Sequence, residues 1–161
     1  MTELITNYFI TYGYLAIFCI VLLQEMGMPG IPNELVLIYF GYLGHRSGLS
    51  CTIIICLAII ADMIGSLFLY LLFYYGKNLL ARVKPRWLRL PTQRISSLRE
   101  KIISKNGRNI FIAKLTPFVR SYLPVVAGLL QVQHQVYGRI VFCAAIVWNG
   151  SLITAGWLLY F

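Results

Sequence analysis

The chain has 161 residues, 59% of them hydrophobic and only 12% charged, against roughly 25% charged in an ordinary soluble domain. That excludes most soluble folds, which at this size leave about a third of the unfolded surface exposed and need polar groups to cover it. The net charge of +9 would point to nucleic acid if it were spread along the chain, but 11 of the 14 basic residues fall between Lys77 and Lys114, with Glu100 the single acid among them; the charge is topological, and no nucleic-acid partner is expected.

The N-terminus has Glu3 as its one charge and lacks the basic start and small-residue cleavage site of a signal peptide, so the first apolar segment is expected to stay. Residues 8–24 are uncharged and just long enough for a transmembrane helix across a hydrocarbon core about 30 Å thick. Residues 25–44 read Glu25-Met-Gly-Met-Pro-Gly-Ile-Pro-Asn-Glu34 and then run apolar to Gly44. Two prolines and two glycines in six residues remove donors and break the helical ladder. Irregular backbone survives in a bilayer only where protein buries it or a watery cavity meets it, so a re-entrant hairpin is expected here, a kinked transmembrane helix being the alternative. Residues 51–76 have Asp62 as their sole charge and are long enough to span with tilt.

Residues 77–108 hold the basic cluster and form a linker that the positive-inside rule puts in the cytoplasm. A helix started at Pro91-Thr92 would set Ile95, Leu98 and Ile102 on one face among Arg94, Arg99, Lys101 and Lys105, either against anionic headgroups or as a solvated loop. Residues 109–133 repeat the broken pattern, with Lys114 ahead of Pro117 and Arg120 between Pro117 and Pro124, and give a second re-entrant hairpin. Residues 137–161 form the last transmembrane helix. The fold class expected is an all-α polytopic membrane protein of two inverted hairpin-plus-helix repeats, 25–76 and 107–161, the arrangement of transporters whose broken segments meet near the midplane.

Cys19, Cys51, Cys56 and Cys143 sit in apolar sequence at spacings of neither a zinc site nor a disulfide framework, and read as buried small hydrophobes. His45 and His134 lie at segment edges without metal-ligand partners. There is no nucleotide loop, catalytic triad or paired-cysteine motif, so no metal, no cofactor and no enzyme activity is expected. An intramembrane lipid hydrolase using carboxylates as acid and base would need a nucleophile or metal site that the sequence does not offer.

Setting the linker aside leaves Glu25, Glu34, Asp62, Lys114 and Arg120 in or near the hydrocarbon, where each charge costs at least ~2.5–3.5 kcal/mol and marks function by default. Three acids against two bases give −1 when all are ionised and zero when one carboxyl holds a proton. Burial disfavours a charged carboxyl and a nearby cation favours it, so Glu25, Glu34 and Asp62 are expected to couple a proton. Arg120 can grip a phosphate bidentately and Lys114 as a point charge, which makes a membrane lipid with an anionic headgroup the expected partner. The plainer reading is that these charges pair and lock the hairpins, and a lock that opens is a gate. Asp62 has Gly65 and Ser66 on its own helical face. Asn149 falls 29 residues after Arg120 as Asp62 falls 28 after Glu34, and an intramembrane asparagine is more often an interhelical hydrogen bond than a ligand.

Glu25 with Gly27, Pro29, Pro32, Glu34 and the run from Leu35 to Gly44 resembles the first hairpin signature of the DedA family, the SNARE-associated or VTT-domain membrane proteins. Gly65 to Tyr70 and Gly76 resemble its following helix, Ala113-Lys-Leu-Thr-Pro117-Phe-Val-Arg120 with Pro124 and Gly128 its second hairpin, and Trp148 to Gly156 its next helix. The resemblance implies a multi-pass protein of the cell (inner or plasma) membrane with two facing re-entrant hairpins. It implies lipid translocation, including undecaprenyl phosphate recycling and flippase or scramblase action on phospholipids, dependent on proton motive force and supporting envelope homeostasis. It carries the family's acids and arginines onto Glu25, Glu34, Lys114 and Arg120. This chain departs in having Lys114 for arginine and Pro32-Asn33-Glu34 for Pro-Gly-Glu. It also stops at Phe161, where many members continue into another helix, which implies a shortened bundle or a homo-oligomer that completes it. A small proton-coupled secondary transporter of ions or cationic solutes is the alternative function.

Overall fold

In the computed structural model, residues 2–26, 32–76, 107–117 and 119–159 are described. They form six helices and no strand: α1 (Thr2–Glu25), α2 (Asn33–Arg46), α3 (Cys51–Tyr75), α4 (Gly107–Lys114), α5 (Leu123–Leu129) and α6 (His134–Leu158). Most of the linker, including the helix expected from Pro91, and the core of the first break at residues 27–31 lie outside the described residues. α3 and α6, 25 residues each, are long and apolar enough to cross a membrane, being about 37 Å at 1.5 Å per residue. α1 contributes a shorter apolar helix, Tyr12–Glu25.

Proline and left-handed backbone set the helix ends. Pro32, with φ −52° and ψ 130°, stands immediately before α2, and Pro124 occupies the first turn of α5, where a missing N–H costs no helical bond. α2 closes through Gly48 at φ 69°, which lets the Leu49 N–H reach back to the Gly44 carbonyl at 2.9 Å. α5 closes the same way through Gln131 at φ 51°, with the Val132 N–H on the Ala127 carbonyl at 3.1 Å. Both are the six-to-one closure that normally takes glycine. Each therefore turns a short helix into a long one.

The chain divides into two compact units, residues 1–65 with 145–161, and residues 66–144. α3 gives residues 51–65 to the first unit and 66–75 to the second, and α6 gives 145–158 to the first and 134–144 to the second. In the first, Ile17 and Val21 of α1, Leu37 and Phe40 of α2, Ile54, Ala58 and Ala61 of α3 and Ile153 of α6 form the core. α2 and α6 touch backbone to backbone there: a Cβ on Gly41 would stand 2.9 Å from the Trp157 nitrogen, and one on Gly156 would run into the Ile38 carbonyl. Small residues at such a crossing maximise van der Waals contact where the bilayer supplies no hydrophobic drive. His45 packs edge-on to Trp157 at the same interface, ring centroids 4.7 Å apart.

In the second unit Tyr70, Ile110, Ala113, Leu123, Val126, Ala127, Tyr137 and Val141 form the core. α5 lies against α3 at Gly128, where a Cβ would stand 2.9 Å from the Phe73 Cβ. Tyr70 stacks on Tyr137 with centroids 4.3 Å apart. Its hydroxyl donates to the Val132 carbonyl; that uses its one proton, so His134 Nδ1, 2.6 Å away, is the donor to it.

Polarity is inverted relative to a soluble protein. Ile20, Leu23, Ile53, Ile60, Ile64, Phe68, Leu72, Phe142 and Val147 are exposed, while Glu25, Asp62, Ser66, Lys114, Arg120 and Asn149 are buried. The cysteines correct the sequence reading: Cys19, Cys56 and Cys143 are exposed and Cys51 is half-buried. In a helix surrounded by hydrocarbon the outer face is as apolar as the inner one, so an apolar neighbourhood does not imply burial.

Gly156→Leu should lower the melting temperature of the detergent-solubilised protein by the equivalent of about 1–3 kcal/mol, the cost of overpacking. Gly150→Ala, on the same helix with open space around it, should leave it unchanged or slightly raised.

Candidate functional site

The five charges expected in the membrane separate by burial. Glu25 (4% exposed), Asp62 (0%), Lys114 (1%) and Arg120 (2%) are inside, whereas Glu34 is half-buried in the first turn of α2, where the positive end of the helix dipole favours a carboxylate.

In the first unit, Glu25 ends α1 as the chain enters the Pro-Gly break. Asn33 Nδ2, from the start of α2 beyond that break, donates to Glu25 Oε1 at 3.0 Å. Glu25 also lies on Gly65 of α3, where a Cβ would stand 2.6 Å from the Glu25 Cβ and 3.2 Å from the Leu22 carbonyl. Gly65 is one turn past Asp62 on the same face of α3, so two buried carboxylates share this stretch of interior. Asp62 in turn accepts a hydrogen bond at Oδ2 from Asn149 Nδ2 of α6, at 3.0 Å. Each acid thus has an amide donor from a different element, which reduces the cost of holding a carboxylate out of water.

In the second unit, Lys114 is the last residue of α4. Its Nζ donates to Ser66 Oγ of α3 at 2.6 Å, with both side chains buried. Arg120 lies inside the irregular stretch between α4 and α5. Here the backbone coils tightly, with the Arg120 N–H on the Thr116 carbonyl at 3.1 Å and the Leu123 N–H on the Val119 carbonyl at 3.1 Å. Proline at 117 and 124 keeps this stretch from joining α4 and α5 into one helix. A guanidinium and an ammonium are therefore presented from broken helix in the interior, the setting in which unwound segments bind ions or polar groups in transporters. Among the described residues no group of three or more His, Cys, Asp or Glu side chains is placed to hold a metal.

Three polar partners carry more than the sequence reading gave them. Asn33 reads from the sequence only as a departure from glycine and Ser66 only as a small residue on the Asp62 face, while Asn149 forms the interhelical hydrogen bond read for it and adds the identity of the partner, Asp62. The signal for Ser66 and Asn149 is a polar side chain that an apolar helix retains without a turn or cap to explain it, whereas Asn33, at the start of α2 beside the Pro-Gly break, carries no such signal.

Comparison with known proteins places the chain. The model of the VTT domain matches residues 31–158. Undecaprenyl phosphate transporter A of Staphylococcus aureus is 27% identical over 160 residues, covering 97% of this chain and 78% of the relative. The uncharacterized membrane protein YbfM of Bacillus subtilis is 26% identical over 155 residues, covering 96% and 94%, and an uncharacterized membrane protein of Haemophilus influenzae is 27% identical over 149 residues, covering 90% and 69%. No solved structure matches. With broken helices that bear buried charge, an apolar exterior and a domain match over most of its length, the chain is a membrane protein of the DedA (VTT-domain) family.

Proposed function

We propose that this protein moves a lipid phosphate, such as undecaprenyl phosphate or a phospholipid, between membrane leaflets in a proton-dependent cycle. Lys114 and Arg120 hold the phosphate, and Glu25, Glu34 and Asp62 exchange the proton that resets the charge balance. The observation that carries this reading is the burial of both cations in the Pro-broken segment of the second unit. Their desolvation makes sense if a phosphate anion visits them, because an anion's gain rises as water is excluded. The likeness to a transporter of undecaprenyl phosphate supports the same class of substrate.

In this reading residues 25–44 and 109–133 are re-entrant hairpins of opposite orientation, with the linker 77–108 cytoplasmic. The lengths support it. α2 has 14 residues, α4 has 8 and α5 has 7, or about 21, 12 and 10 Å, all short of a core about 30 Å thick. The matching closures at Gly48 and Gln131, each leading into a 25-residue helix, support a repeated hairpin-plus-helix plan.

The test is reconstitution in liposomes with labelled undecaprenyl phosphate or phospholipid. Arg120→Ala and Glu25→Ala should each reduce translocation at least tenfold, on the order of one or more hydrogen bonds to a charged group; wild-type rates in both would remove the mechanism. Translocation should vary with pH, and a flat profile with lipid still moving would remove the proton from it. Movement of a small cation with no lipid movement would favour the alternative of a secondary transporter working through the acids of the first unit.

A separate expectation concerns Ser66. Ser66→Ala leaves the Lys114 ammonium short of one buried acceptor, so it should lower the melting temperature and, because a phosphate oxygen can replace the lost acceptor, should not weaken lipid phosphate binding. Both are readable by titration and thermal unfolding of the purified protein.

A further inference from the structure

Asn149 has no role in the cycle proposed above, yet its amide is tightly specified. It is fully buried near the middle of α6. A side-chain amide nitrogen carries two protons, and both are committed: one to Asp62 Oδ2 on α3 at 3.0 Å, the other to the Ala145 carbonyl one turn back on α6, also at 3.0 Å. The Ala145 carbonyl can only accept, so turning the amide over would set oxygen against oxygen; the two acceptors fix its orientation. Its own Oδ1 is buried with no hydrogen-bond partner among the described residues, so the side chain is held by its donors alone.

We infer that Asn149 is a positioning residue for proton exchange at Asp62: it keeps Oδ2 as an acceptor and so confines the exchangeable proton to Oδ1. A neutral carboxyl has one oxygen bearing hydrogen and one oxygen free to accept. A donor fixed on Oδ2 selects the form with hydrogen on Oδ1, and it anchors the carboxyl to α6 in both charge states. The other acid in this part of the first unit, Glu25, packs on Gly65 one turn along α3 and has its own amide donor in Asn33. The two carboxyls therefore do not compete for one donor. This inference rests on the reading of Asp62 as a proton-exchanging group.

The full chain in proteoliposomes tests both, by infrared difference spectra between high and low pH alongside translocation of labelled undecaprenyl phosphate. Asp62→Asn should remove one carboxyl C=O band and abolish translocation. Asn149→Leu should keep that band but move it to higher frequency, since the C=O loses its hydrogen bond, and should slow translocation about tenfold with lipid affinity unchanged. A purely structural role would shift the band as well, but would lower lipid affinity and stability together with the rate. If Asn149→Leu does not fold, Asn149→Ala, which removes the amide donors without adding a second carboxyl, decides on the same readouts: a shifted band with slowed translocation carries the inference and a wild-type rate overturns it. A wild-type rate in Asn149→Leu, whether or not the band shifts, with Asp62→Asn inactive, overturns the positioning role alone. Wild-type translocation in Asp62→Asn overturns the reading of Asp62 beneath it.

Discussion

Burying charge inside a protein whose outer surface meets hydrocarbon is the constraint from which the rest of this structure follows. A charge at membrane depth has no water to return to, so its partners must be built in. The observed partners are short and specific: a hydroxyl on the Lys114 ammonium, and an amide on each of the Glu25 and Asp62 carboxylates. These three bonds each join two different elements, so the polar interior does part of the work of tertiary specification that hydrophobic burial does in water. That is the membrane counterpart of a packed core, since side chains such as Ile60 and Phe68 gain nothing by turning inward from lipid.

The glycines belong to the same economy of space. Side chains of a few atoms cannot reach across a wide helix gap, so helices that carry them must approach closely. Gly65 brings α3 onto α1 at Glu25, Gly128 brings α5 onto α3, and Gly41 with Gly156 brings α2 onto α6. Each contact lies within one compact unit, and each would be obstructed by a single methyl group.

The sequence shows the charges, the breaks and the long helices, and does not show the pairing. Asp62 and the Pro-rich segments are visible because they interrupt apolar runs, and interruption needs no knowledge of the fold. The identity of a partner is different. Asn149 lies 87 residues from Asp62 and Ser66 lies 48 from Lys114, and nothing local in either neighbourhood names the other. Helix faces are illegible for a second reason. In water an amphipathic pattern says which side is in, but here both sides are apolar, which is why Cys19, Cys56 and Cys143 turn out to face outward. Gln131 is a third kind of miss: it holds a left-handed closure that glycine usually holds, so the end of α5 carries no residue signal where the end of α2 has Gly48.

The choice of amides beside the acids has a consequence for any cycle that changes charge. A carboxyl keeps at least one acceptor oxygen whether it is ionised or neutral, so an amide donor retains its bond through the change. A cationic partner gains chiefly from the ionised form and gives up most of its interaction when the proton arrives. In the proposed cycle, Asn33 and Asn149 would therefore let Glu25 and Asp62 alter their charge without releasing α2 or α6. Under that proposal the elements that bear the acids would stay assembled while the electrostatic balance of the interior moves, and any transporter that loads and unloads an anion without unfolding its own core needs that separation between holding a group in place and fixing its charge.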